Sequence, residues 1–351
     1  MKHYHLILLS FCLLAVSCKK EYYITNEYIT NEYITKVDSV YIERYYSYIL
    51  AQQEEIKINI VPPYLQAGDS VGIFATSNAV SQSELKAGIN ILQSWGLKVR
   101  EADNLYNTDG RYAGTLNQRI DGLQGLINNT NLKAVIAARG GYGCDQLLPY
   151  INLKPLQNNP KWVVGFSDVT VLHVALNNLG IQTIHGAMAN NFSNATSVAE
   201  LKKALFGDYP EISIATNANC IQGEAEGRLV GGNLTTFYAL GGTVWDLNVK
   251  GAILFFEDTG EAHHNVNRML TNLKFSGKLD AVKGIIIGQF TNMTQSSADK
   301  PIEDIIRDNV AGLGIPVMYG VQTGHGSPNL PLYFGRNVKL KVAVDKATVT
   351  F

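Results

Sequence analysis

The sequence predicts an α/β fold: an N-terminal doubly wound parallel-sheet domain followed by a smaller C-terminal α+β domain. Short apolar runs alternate with amphipathic stretches of helical length in the first half, and that alternation breaks near residues 200 to 225. The chain, at 351 residues, is also long for one hydrophobic core.

In the first half, "DSVGIFATS" (69–77) is a buried strand ending in small polar residues, and "SQSELKAGINILQSWG" (81–96) a helix closed by Gly96. "LKVREAD" is a second strand, "TLNQRIDGLQGLINN" a helix, "KAVIAAR" a third strand and "DQLLPYI" helical. "WVVGF" is a fourth strand, and a helix follows Ser167. Strands separated by helices of ten or more residues require right-handed crossovers and a parallel sheet covered on both faces. In such sheets ligands bind beyond the carboxyl ends of the strands. After "YPEISIATNANCIQGEAEG" come "GRLVGGNLTTFYALGG", "GAILFFEDTGE", the helical "HNVNRMLTNLKFSG", "AVKGIIIGQF", "IPVMYGVQTGHG" and the closing strands "NVKLKVAVD" and "ATVTF". The predicted domains are residues 61–205 and 222–351, with a ligand cleft between them.

The first 17 residues read as an export signal: a basic start, an apolar stretch too short to span a bilayer, and small residues ahead of Cys18. Ala15-Val16-Ser17-Cys18 resembles a bacterial lipobox, which makes Cys18 the expected acylation site and the mature protein an envelope lipoprotein, tethered to the membrane without crossing it. Residues 18–60, with the repeat "YITNEYITNEYIT", form the expected tether, bounded by Pro62-Pro63. Lys plus Arg total 29 against 30 Asp plus Glu, so there is no basic field for nucleic acid. With Cys12 in the signal and Cys18 lipidated, Cys144 and Cys220 are left as the only candidates for a bridge. Their spacing fits no zinc signature, and neither a metal nor another cofactor is implied.

Three places carry side chains suited to catalysis. "ARGGYG" (138–143) follows a strand directly; glycines there either turn backbone N–H groups toward an anion or simply make a turn. Ser167, in "GFSDVT", stands at a strand-to-helix junction like a nucleophile elbow, with the N–H of Asp168 next in line for an oxyanion. The second glycine of the usual elbow is absent, and on local grounds a helix cap by Ser167 or Asp168 explains the same residues better. A serine needs a base. His3 and His5 leave with the signal; His173 lies inside a helix, and His263 and His264 open one, which leaves His185 in "TIHGAM" and His325 in "TGHGSPN" as close rivals. "ILFFEDTGE" ends an apolar strand in Glu257, Asp258 and Glu261, either carboxylates that orient a base or acids that favour a helix start.

Taken in order, "LQAGDSVGIFATS", "DGRYAGTLNQRIDGL", "KAVIAARGGYG", "VVGFSDVTVLH", "EGRLVGGNLTTFYALGGT", "GAILFFEDTGE" and "GHG" resemble the serine LD-carboxypeptidases of peptidoglycan recycling, a family that includes microcin C immunity peptidases. The resemblance covers about residues 61 to 340. It implies Ser167 as nucleophile, Glu257 as acid, His325 as base, and an oxyanion hole from the N–H groups of Gly141 and Asp168. His185 then becomes a pocket or packing residue. Arg139, beside the oxyanion turn, is the candidate for the substrate's terminal carboxylate or, equally, for tying the domains together. The implied reaction is hydrolysis of the L,D-amide that releases the terminal D-Ala of a peptidoglycan tetrapeptide, through an acyl-enzyme. The same chemistry would serve immunity to a peptide antibiotic, and a lipoprotein that binds muropeptides without turnover is the competing class. The family resemblance also implies a homodimer.

Overall fold

The computed structural model describes residues 55–351, which fall within one compact unit. The signal, Cys18 and most of the expected tether lie outside the described residues. Ile60, at the end of that tether, donates its N–H to Gly180 O and accepts from Gln182, at 2.7 and 2.9 Å, so the chain joins the fold ahead of Pro62.

The first half folds as the periodicity predicts. Strands β1 (Ser70–Phe74), β2 (Lys98–Glu101), β3 (Leu132–Ala137), β4 (Trp162–Gly165) and β5 (Thr183–His185) are parallel, in the order β5-β4-β3-β1-β2. Every residue of β4 and β5 is buried, as a sheet covered on both faces requires, whereas edge strand β2 alternates half-buried and exposed residues. Helices α1 (Gln82–Ser94) and α2 (Leu116–Asn128) each start with a capping box, Ser81 with Glu84 and Thr115 with Gln118. Each box satisfies helix-end N–H groups and is worth about 1 kcal/mol. Helix α3 (Thr170–Asn178) follows β4, and α4 (Ala195–Phe206) completes this half. The predicted helix over "DQLLPYI" is only a three-residue 3-10 turn, Asp145–Leu147.

The second sheet has seven strands. β6 (Glu211–Ala215) lies in the segment that lacks helical period and pairs at the far edge. β7 (Gly223–Asn233), α5 (Leu234–Ala239), β8 (Ile253–Thr259), α6 (His263–Phe275), β9 (Gly284–Thr291), α7 (Ile302–Val310) and β10 (Val317–Tyr319) form a parallel section, β7-β8-β9-β10. After β11 (Leu332–Phe334), β12 (Asn337–Val342) and β13 (Lys346–Thr350) add an antiparallel section between β7 and β6. β11 itself leaves this sheet and pairs antiparallel with β5, Leu332 opposite His185, so the C-terminal half supplies the sixth strand of the first sheet. A second tie runs from Asn233 N–H to Thr170 Oγ1, 3.0 Å, between β7 and α3. Gly232 makes this approach possible, because a Cβ there would stand 2.5 Å from Thr170 Oγ1.

Candidate active site

β4 ends at Gly165, and two residues later Ser167 has φ +64, a left-handed conformation that Asn292 alone shares among described non-glycine residues. That geometry costs roughly 1–3 kcal/mol for a residue with a Cβ, and such strained residues cluster at active sites. The helix-cap explanation fails here. Neither the 3-10 turn Ser167–Val169 nor α3 receives a side-chain cap, since the residues at their N-cap positions are Phe166 and Val169. The Asp168 carboxylate instead turns inward, accepting from Ser77 Oγ in the loop after β1 and from Cys144 N at 2.9 Å. Burial holds this carboxyl above its usual range, with the Ser77 and Cys144 hydrogen bonds opposing that shift. Asp168 therefore clamps the loops after β1 and β3 to the turn that carries Ser167.

The "RGGYG" turn packs directly on Ser167. A Cβ on Gly140 would lie 3.0 Å from Ser167 Cβ and 3.2 Å from its Oγ. Gly141 has φ +129, which suits glycine. Among the described residues, the N–H groups of Gly141 and Asp168 have no acceptor. The turn is held from behind by Arg119, a fully buried guanidinium that the sequence reading passed over as part of an amphipathic helix. It donates to Thr76 O (2.8 Å), Gly143 O (2.9 Å) and Gln146 Oε1 (2.8 Å), and lies 4.5 Å from the centre of the Tyr112 ring. Arg139 is half-exposed and pairs loosely with Glu84 at 3.4 Å, within the first half, so among the described residues it does not tie the two halves together.

Glu257 sits near the end of β8, fully buried, and its Oε2 meets Nδ1 of His325 at 2.7 Å. A carboxylate only accepts, so Nδ1 carries the hydrogen and Nε2 is left as an acceptor. The loop around His325 is fixed at both sides: Gly324 N–H donates to Asn329 Oδ1 (3.0 Å) and Gly326 N–H to Gln289 Oε1 (2.8 Å). A Cβ on Gly324 would stand 2.6 Å from Glu257 Oε2, so glycine is what lets the carboxylate reach the ring. The His325 ring in turn lies edge-on to Phe166, 4.9 Å between centres, which sets the imidazole beside the residue preceding Ser167.

His185 sits in different surroundings from His325. His185 is fully buried among Phe166, Phe255, Phe334 and His173, and neither ring nitrogen has a partner. Burial drives its pKa well below the ordinary value, with His173 and His325 adding to the effect. His173 is also buried, linking Thr183 Oγ1 and Gly165 O at 2.9 Å each. His263, at the start of α6, is buried and bonds to Lys300 O at 2.9 Å, while His264 is exposed beside Asp299. Asp258 accepts from Asn233 Nδ2, Thr235 and Thr259 and turns away from His325. Cys144 and Cys220 are both free thiols, and no group of three metal-ligating side chains occurs among the described residues.

Two family models match the chain: the LD-carboxypeptidase N-terminal domain over residues 71–186 and the LD-carboxypeptidase C-terminal domain over 226–340. A probable murein peptide carboxypeptidase of Bacillus subtilis is 31% identical, covering 83% of this chain and 95% of that protein. A murein tetrapeptide carboxypeptidase of Pseudomonas aeruginosa is 29% identical over 77% of this chain and 92% of its own length. Among solved structures, the muramoyltetrapeptide carboxypeptidase from Oxalobacter formigenes aligns with a TM-score of 0.73 at 29% identity, covering 80% of this chain and 98% of that one. The microcin C7 self-immunity protein MccF, in complex with aspartyl sulfamoyl adenosine, shares the fold with a TM-score of 0.75 at 22% identity, over 84% of this chain and 99% of that one.

Proposed function

Because the chain belongs to the LD-carboxypeptidase family, and is by that membership a serine-type hydrolase, we propose that it removes the terminal D-Ala from peptidoglycan tetrapeptides by way of an acyl-enzyme. The observation that carries the mechanism is the Glu257–His325 hydrogen bond beside a serine held at positive φ. Ser167 Oγ attacks the carbonyl of the L,D-amide while His325 Nε2 takes its proton. Glu257 stabilises the imidazolium through Nδ1–H. The N–H groups of Gly141 and Asp168 receive the oxyanion, a contribution of about 3 kcal/mol for each donor in comparable sites. The imidazolium then protonates the leaving amine, D-Ala departs, and water activated by the same imidazole releases the acyl group. Arg139, half-exposed beside the oxyanion turn and held by a loose ion pair and a 3.4 Å hydrogen bond to Ala79 O, is free to exchange Glu84 for the substrate carboxylate.

Incubation with disaccharide tetrapeptide, followed by mass spectrometry, tests the reading. Wild-type protein releases D-Ala and Ser167→Ala does not; release by the alanine variant refutes the nucleophile. An aminoacyl sulfamoyl nucleoside in a parallel reaction tests immunity-type activity, which the fold shared with MccF supports. Binding of tetrapeptide without any release would establish the non-catalytic alternative, against which a complete and hydrogen-bonded acid–base pair argues.

An exported, membrane-tethered enzyme acting in the envelope belongs to the same proposal, with Cys18 as the acylated residue and a homodimer as the assembled form. Loss of palmitate labelling in Cys18→Ser tests the anchor, and light scattering of the protein lacking its first 18 residues tests the dimer.

A further inference from the structure

Asn78 lies in the loop after β1, where the sheet order turns from β2-β1 to β3, the crevice at which doubly wound sheets bind ligands. Its backbone N–H reaches Gly140 O at 3.4 Å, so it runs alongside the oxyanion turn. The side chain lies flat over Gly141: a Cβ there would be 2.3 Å from Asn78 Cγ, 2.5 Å from Oδ1 and 2.6 Å from Nδ2. The two adjacent glycines thus make room for different side chains, Gly140 for Ser167 and Gly141 for Asn78.

Packed this closely, the carboxamide would ordinarily be satisfied by the protein, yet it is not. Asn78 Oδ1 is buried without a partner, and Nδ2, which remains open to solvent, has no acceptor among the described residues. A buried amide oxygen without a donor is a standing cost to the fold, and such groups call for an explanation. That oxygen only accepts and so cannot pair with an oxyanion; the group that can is Nδ2–H, which adjoins the Gly141 backbone unit whose N–H is also unpaired among the described residues. Side-chain amides serve as oxyanion donors in unrelated acyl-transfer enzymes.

We propose that Asn78 is a third oxyanion donor, its Nδ2 hydrogen-bonding the tetrahedral intermediate together with the N–H groups of Gly141 and Asp168. The inference rests on the acyl-transfer reading above and adds a residue to it. The bond strengthens as negative charge develops on the carbonyl oxygen, so its loss falls on the chemical step and leaves ground-state binding little changed.

Steady-state kinetics of Asn78→Ala on the disaccharide tetrapeptide test this, with thermal melting as the control for folding. The expected result is a fall in kcat of about 10²–10³-fold, the range for removal of one oxyanion donor, with KM within a few-fold of wild type. Asn78→Asp keeps the shape and serves if the alanine variant does not fold; it places an acceptor toward the oxyanion and should be at least as slow. A kcat within twofold of wild type in a folded variant overturns the proposal, as does a rise in KM with kcat unchanged. Failure of the underlying hydrolase reading would look different: the wild-type protein itself would release no D-Ala.

Discussion

Glu257 and His325 stand 68 positions apart in sequence and 2.7 Å apart in space. Glu257 comes from the interior of the second sheet and His325 from a loop pinned by Gln289 and Asn329, so both partners are fixed before any substrate arrives. Such an arrangement places little entropic cost on the catalytic step.

Glu257→Gln preserves volume but presents either an amide donor or a neutral oxygen to Nδ1, weakening the imidazolium. It should lower kcat by about 10³–10⁴-fold while leaving substrate binding nearly intact, by analogy with removal of the orienting carboxylate in other triads. Single-turnover measurement of D-Ala release checks this; a loss below tenfold would mean that another group orients His325.

Ser167 makes an unusual stability prediction. Glycine is ordinarily the more costly replacement, yet at φ +64 a Cβ is strained and glycine is not. Ser167→Gly should therefore be more stable than Ser167→Ala by about 1 kcal/mol, with both inactive. Urea titration of the two variants gives the comparison, and the opposite order would show that the left-handed turn is not maintained in solution.

Arg119→Lys conserves charge but cannot serve Thr76 O, Gly143 O and Gln146 Oε1 from one planar fork. A stability loss of about 2–4 kcal/mol is expected, since carbonyls in a buried turn lose their donors. Activity should fall further than stability predicts, because those bonds hold the turn proposed to receive the oxyanion. Circular dichroism melts alongside kcat separate the two effects.

Acid should destabilise the fold through its buried histidines. Burial lowers the His173 pKa from 6.5 to about 4, and moves His185 in the same direction. Below pH 6.5 the unfolded chain takes up protons that the folded chain refuses, so this stability is complete above that pH and is lost as pH falls toward 4. At pH 5 the His173 contribution has fallen by about 2 kcal/mol, and His185 acts in the same direction. Urea midpoints between pH 7.5 and 5 should fall, less steeply than the histidines alone dictate because buried Asp258, raised to about 6, takes up its proton in the folded state first; His185→Phe, which removes an imidazole without hydrogen-bond partners, should flatten the fall.

The parallel half of the fold was legible in the sequence because a sheet covered on both faces demands fully apolar strands, and "KAVIAAR" and "WVVGF" supply them. Crossover helices announced themselves through amphipathic periodicity and, for the first, the closing Gly96. Less legible was anything decided by distant contacts. "LYF" at 332–334 is too short to disclose that it joins the first sheet. Ser167 and Asp168 belong to residue types shared by caps and nucleophiles, and backbone conformation, which composition does not encode, separates the two. Local sequence also gave no means of choosing between His185 and His325; an aromatic enclosure around one and a carboxylate beside the other made the distinction. Arg119 went unnoticed because a lone arginine on an amphipathic helix ordinarily faces water.

The crossing of Leu332–Phe334 into the opposite sheet has an architectural consequence. Although two family models divide the polypeptide, the halves are not interchangeable parts. A fragment ending near residue 206 would expose the β5 rim that β11 normally occupies, an unpaired edge that invites adhesion to stray chains. Recombination that swapped in a foreign second half would have to reproduce this stitch before any chemistry could begin, which makes the enzyme one inheritable whole.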